Sequence, residues 1–158
     1  MKVVKNIKYI GILFILFLFT STIHVASSAV LKQQTAYTVE LLNKFIKATK
    51  KVSLIQQEGE QKMVQAIEQE DLDVDTFNKI AEMMINPESA EKIDVTPEQM
   101  DSFTKVLEKL QGLQFEIQQE MEAAIIDNGI AIEDYQKIVE EYHNNPSFQQ
   151  QINEMLQE

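Results

Sequence analysis

The sequence predicts an all-α protein: an antiparallel helical bundle of two tandem long-helix/short-helix units, behind an N-terminal signal peptide helix. Three observations lead there. Apolar residues recur at steps of three and four along two stretches of about 30 residues each. Proline and glycine fall mainly where those stretches stop or restart. The second stretch also repeats the first at a constant shift of 58 positions.

The chain has 158 residues, and the first 29 have the three parts of a secretory signal. Lys2, Lys5 and Lys8 are its positive region, Tyr9 to Ile23 its apolar core, and Ala26-Ser27-Ser28-Ala29 its small-residue cleavage region. Cleavage is expected after Ser28 or Ala29. The apolar run of about 15 residues is short for a membrane span of roughly 20. The expected location is therefore periplasmic or secreted, with an anchor through residues 9–23 as the alternative. No cysteine stands at the cleavage site to take a lipid.

Without residues 1–29 the chain keeps 11 of its 14 Lys and all 25 acids, so its net charge falls from −11 to −14 (11 − 25). There is no Arg. Such a surface is unsuited to nucleic acid, whose phosphates need basic contacts, and to anionic lipid. It keeps an exported protein soluble. With no Cys there is no disulfide framework, thiol nucleophile or thiolate metal site.

Residues 30–40 read as a tether and 41–158 as one helical domain, with repeat 1 at 41–87, a connector at 88–95 and repeat 2 at 96–158. In the first long helix Leu41, Phe45, Ala48, Val52, Ile55, Gly59, Met63, Ala66 and Ile67 share a face, and the stop lies near Asp71. Asp73 can cap a short helix carrying Val74, Phe77, Ile80, Ala81 and Met84. Asn86-Pro87 ends it, because a residue before proline avoids the α region. Thr96-Pro97-Glu98-Gln99 is a capping box with Pro at the first helical position.

The second long helix presents Phe103, Val106, Leu107, Leu110, Leu113, Ile117, Met121, Ala124 and Ile125. Asn128-Gly129 stops it with a left-handed glycine. A short helix follows with Ile132, Tyr135, Ile138, Val139 and Tyr142, and Asn145-Pro146 opens a last one with Phe148, Ile152 and Leu156. The 58-residue shift carries Phe45 onto Phe103, Met63 onto Met121, Ala66 onto Ala124, Ile67 onto Ile125, Phe77 onto Tyr135 and Ile80 onto Ile138. From Asn43 to Asn86 it needs no gap, and 13 of 44 pairs are identical. Two apolar stripes of equal length, each unstable alone in water, should pack on each other.

Candidate chemistry is sparse. Asp71, Asp73, Asp75 and Glu82 occupy positions 1, 3, 5 and 12 of a calcium-loop register. Thr76 stands where that loop needs Gly, and Lys79 at position 9. The second copy has Gly129, Ala131 and Glu133 at the first three places. A helix stop, an N-cap and an acidic first turn explain the same residues. Glu140 and His143 form one Glu-x-x-His pair, but a di-iron bundle needs two plus two further glutamates, and His143 is the only His outside the signal. That same lack removes a serine triad. Met83-Met84 is expected to fill core. No catalytic residue, cofactor or committed metal site is predicted.

Gly129-Ile130-x-x-x-x-Tyr135-x-x-Ile138, then Asn145-Pro146-x-Phe148, resembles an exported bacterial helical family, domain of unknown function (DUF) 4168. In the first copy Gln61-Lys62-Met63-Val64-Gln65-Ala66-Ile67 and Phe77-x-x-Ile80 fit the same pattern, so the resemblance spans about residues 41–152 in a tandem two-copy arrangement. Asp71 departs from an expected Gly, and Ala131 from an expected capping Ser or Thr. The resemblance implies export and a helical fold, and carries no activity. Val95-Thr96-x-x-Gln99 is also similar to a motif of small periplasmic stress chaperones, although those use basic surfaces.

The expectation is thus a non-enzymatic envelope or secreted protein. It would act through an unidentified protein partner, with homo-oligomerisation through leftover apolar stripe. A periplasmic chaperone and a weak calcium binder are the alternatives.

Overall fold

The computed structural model describes residues 37–85 and 94–157. The signal segment 1–29, most of the tether and most of the connector lie outside the described residues. Every regular element among those described is a helix: α1 (Val39–Glu68), α2 (Val74–Ile85), α3 (Pro97–Asp127), α4 (Ile132–Asn144) and α5 (Pro146–Gln157). None of these is long and apolar enough to cross a membrane.

The helix ends follow from local chemistry. At the start of α2, Asp73 Oδ1 accepts the Thr76 N–H at 2.8 Å and Oδ2 accepts the Thr76 hydroxyl at 2.7 Å. At α3 the capping box closes in both directions: the Thr96 N–H reaches Gln99 Oε1 at 3.0 Å, and the Gln99 N–H reaches Thr96 Oγ1 at 3.2 Å. Asn145 caps α5, its Oδ1 accepting the N–H of Ser147 and of Phe148. Ala131 precedes α4 in extended geometry with no side-chain cap, so that end lacks one of the donors' usual acceptors.

Helix α3 ends in a Schellman turn. Gly129, at φ +74°, donates to Ile126 O at 2.8 Å, and Ile130 N–H points to Ile125 O at 3.5 Å. Ile125 and Ile130 are both buried, supplying the apolar contact of that motif. Helix α1 also stops on a left-handed residue, here not a glycine. Asp71 takes φ +55° and donates to Glu68 O at 3.2 Å, and Leu72 after it is buried. A short polar side chain tolerates the left-handed region better than most, so the turn survives the departure from Gly.

The described residues fall into two compact units, 57–85 with 94–118, and 37–56 with 119–157. Each takes segments from both sequence copies. In the first unit Phe77 of α2 and Phe103 of α3 stack with ring centroids 5.0 Å apart and planes at 36°. Gly59 faces Ile117, Lys62 Nζ reaches Glu116 Oε1 at 3.2 Å, and Lys109 pairs with Glu70. As the α1 number rises the α3 partner's falls, so the two segments in this unit run in opposite directions.

In the second unit Phe45 of α1 and Tyr135 of α4 stack at 5.0 Å and 41°. Phe45 and Tyr135 are the 58-residue counterparts of Phe103 and Phe77. Each unit therefore contains the same aromatic pair, and in each the ring of one copy's long helix meets the ring of the other copy's short helix. Such pairs contribute about 0.5–1.5 kcal/mol beyond the area they bury. Thr49 adds a hydrogen bond to the Tyr135 hydroxyl oxygen at 3.3 Å. Helix α5 lies against α4, with Tyr142 donating to Asn153 Oδ1 at 2.9 Å and Ile152 buried.

The apolar stripes form most of the core, with three corrections. Leu42, not Leu41, is the fully buried leucine at the start of α1, joined by Ile46. Leu107 is 44% exposed. It is the counterpart of Thr49, a half-buried position where the first copy carries a polar group. Met84 is 59% exposed, and neighbouring Ile85 is exposed too. Both stand at the end of α2, past the last buried residue, Ile80, where no described element covers them.

Candidate functional site

No polar or charged residue among those described is buried, and no buried side-chain N or O lacks a partner. Tyr135 belongs to the core, yet its hydroxyl oxygen accepts from Thr49 and burial raises its phenol pKa.

Two of the four calcium-register acids, Asp71 and Asp73, serve helix ends. Asp71 is the left-handed stop of α1, and both Asp73 oxygens accept hydrogen bonds from Thr76. Asp75 lies in the first turn of α2, and Glu82 is exposed two turns further along it. Among the described residues no three acidic, His or Cys side chains are grouped to hold a metal. The Thr76 hydrogen bonds, side chain and then backbone, hold the Asp73 carboxyl below its ordinary 3.8. His143 is exposed on α4 with its ring edge-on to Tyr142.

Two surface features remain. The first is a cleft in the second unit lined by Tyr37, Leu41, Asp134, Lys137, Glu140 and Glu141. Tyr37 stacks on Phe148 with centroids 5.5 Å apart. Burial first, and then the Glu141 charge, raises its phenol pKa. The second is an open face of α3 in the first unit. Phe115 is 65% exposed there, Leu107 lies two turns before it, and between them a Cβ on Gly112 would meet nothing within 4 Å. Glu108, Gln111, Gln114 and Gln118 border the depression, so most of its polar rim is uncharged. Periodicity missed this face because Phe115 is out of step with the core stripe; an aromatic off that stripe beside a glycine was the available signal.

The second-copy residues that carried the family resemblance have structural tasks. Gly129 makes the left-handed turn, Ile130, Tyr135 and Ile138 are buried, Asn145 caps α5, and Phe148 receives the Tyr37 ring. These tasks are those of a helical scaffold. The sequence profile described as Domain of unknown function (DUF4168) matches the chain twice, over residues 21–93 and 87–152. The chain belongs to that family, in two copies. No curated protein and no solved structure matches it.

Proposed function

We propose that this is an exported, non-enzymatic protein of the cell envelope that acts by docking a protein partner on the open face of α3. The exposed Phe115 carries the reading. A large exposed aromatic with an unfilled glycine notch one turn before it is unfavourable in water and suits an interface anchor. A rim of three glutamines and one glutamate lowers the electrostatic barrier around an acidic protein.

The export signal at residues 1–29 and the antiparallel bundle belong to the same proposal. The bundle is supported by the opposed α1 and α3 segments of the first unit and by the matching aromatic pairs. In that arrangement the short helices close the ends of the long ones.

The test is cross-linking capture from the native envelope with the wild-type chain and with Phe115→Gln. One dominant partner, retained by the wild type and lost by a variant of unchanged melting temperature, supports the reading. A broad set of unfolded envelope proteins favours the chaperone alternative. Identical capture by both chains would overturn the α3 face. N-terminal mass analysis of the exported protein tests cleavage after Ser28 or Ala29.

A further inference from the structure

Gly59 and Ile117 touch, and they are the same position of the two copies, since 59 + 58 = 117. A residue that meets its own repeat counterpart is what a self-complementary pairing of the two copies brings about. The aromatic pairs agree: Phe45 with Tyr135 and Phe103 with Phe77 are one interaction made twice with the copies' roles exchanged. Neither copy contains its own ring partner. Each of these ring contacts thus requires one first copy and one second copy, and neither requires the two to belong to one chain.

We propose that the face by which the copies pair is also a homotypic association surface, whose partner is a second molecule of this protein. Two chains exchange copies, so that the first copy of each packs on the second copy of the other. All contacts within each unit are kept. Only the effective concentration supplied by the covalent connection is lost, about millimolar for a short link. This inference concerns the internal packing face; it does not depend on export or on the Phe115 surface.

The pairing is selective for unlike copies. Ile117 is fully buried, with its Cδ1 2.6 Å from where a Cβ on residue 59 would lie. Two second copies would bring isoleucine against isoleucine in that space, an overpacked contact. Two first copies would set glycine against glycine and leave a void. Charge adds to this. Lys62 meets Glu116 across the pair, but the counterpart of Lys62 in the second copy is Glu120. Two second copies would therefore oppose Glu120 to Glu116.

The chain has no cysteine, which makes the test direct. One full-length chain carries Lys62→Cys, another Glu116→Cys, and a third both. Both positions are substantially exposed, so the fold should tolerate them. The two single variants are unfolded together, refolded at rising protein concentration, and treated with a short bismaleimide. The expected product joins one chain of each kind and increases with the concentration at refolding. Homodimers through Lys62→Cys alone or Glu116→Cys alone should be at least ten-fold scarcer. An internal cross-link in the doubly substituted chain, with no unlike dimer at any concentration, overturns the proposal. Like dimers as abundant as unlike ones overturn it as well. So does an unsubstituted chain that light scattering shows to be wholly monomeric after refolding at about millimolar concentration, where the exchanged and closed forms compete evenly.

Discussion

Ile117 projects into the space that a side chain on Gly59 would fill, its Cδ1, Cγ1 and Cγ2 lying 2.6, 3.1 and 3.3 Å from the missing Cβ. Glycine at a helix interior costs about 0.5–1 kcal/mol relative to alanine. Here that cost is offset by close approach of two helix segments, and Ile117 is completely buried as a result.

Gly59→Ala should therefore destabilise the protein by about 1 kcal/mol, because overpacking of roughly 1–3 kcal/mol exceeds the gain in helix propensity. In an Ile117→Val background, which lacks Cδ1, the same change should be neutral or stabilising. Gly112 has open space and should behave oppositely, Gly112→Ala adding about 0.5–1 kcal/mol. Urea unfolding midpoints at constant slope measure all three.

The two left-handed turns make a matched pair. Asp71→Gly should stabilise by up to about 1 kcal/mol by removing Cβ strain, and Gly129→Ala should destabilise by about 1–2 kcal/mol. The nearest atom to a Cβ at 129 is Lys44 Cε at 3.7 Å, so backbone conformation and not crowding sets that cost. Thermal midpoints of the two variants should move in opposite directions.

The helix starts differ in capping, and stability should follow. Ala131→Ser supplies the missing acceptor at α4 and should add about 1 kcal/mol, whereas Thr96→Ala opens the capping box and should cost a similar amount. Asp73 adds a pH signature. Its folded pKa lies below the ordinary value, so its contribution is present above pH about 4 and is lost as pH falls through the folded value. The stability difference between wild type and Asp73→Asn should be flat from pH 7 to about 5 and shrink in acid. A difference that grew in acid would contradict the cap.

The aromatic pairs should be energetically alike. Phe45→Ala and Phe103→Ala each remove a buried ring and should cost about 3–5 kcal/mol. Tyr135→Phe converts the second pair into the chemistry of the first and removes only the Thr49 contact. Its cost should stay below about 1 kcal/mol, since Thr49 is partly exposed and water can satisfy it. Guanidinium unfolding distinguishes a 4 kcal/mol loss from a sub-kilocalorie one.

The sequence by itself determined the helices, the starts of α2, α3 and α5, the stop of α3, the repeat and the family; the start of α1 at Val39, where Thr38 Oγ1 accepts the Leu41 N–H, fell inside the stretch read as a tether. What it determined follows from short-range rules, three-and-four spacing for a buried face and a handful of residues at each cap, so Thr96, Asp73, Gly129 and Asn145 were legible as letters. Tertiary structure alone decided which copy's side chain meets which. Phe45 finds Tyr135 and Phe103 finds Phe77 because opposed segments bring distant positions together, and helical periodicity contains no information about a partner. It also decided that Leu42 is buried while Leu107 and Met84 are exposed, because a helix face becomes core only where a neighbour covers it. Phe115 stayed hidden in the sequence for the complementary reason: what marks it is the absence of such a neighbour in the first unit. A side chain's apolarity is local, but whether it is satisfied depends on what packs against it.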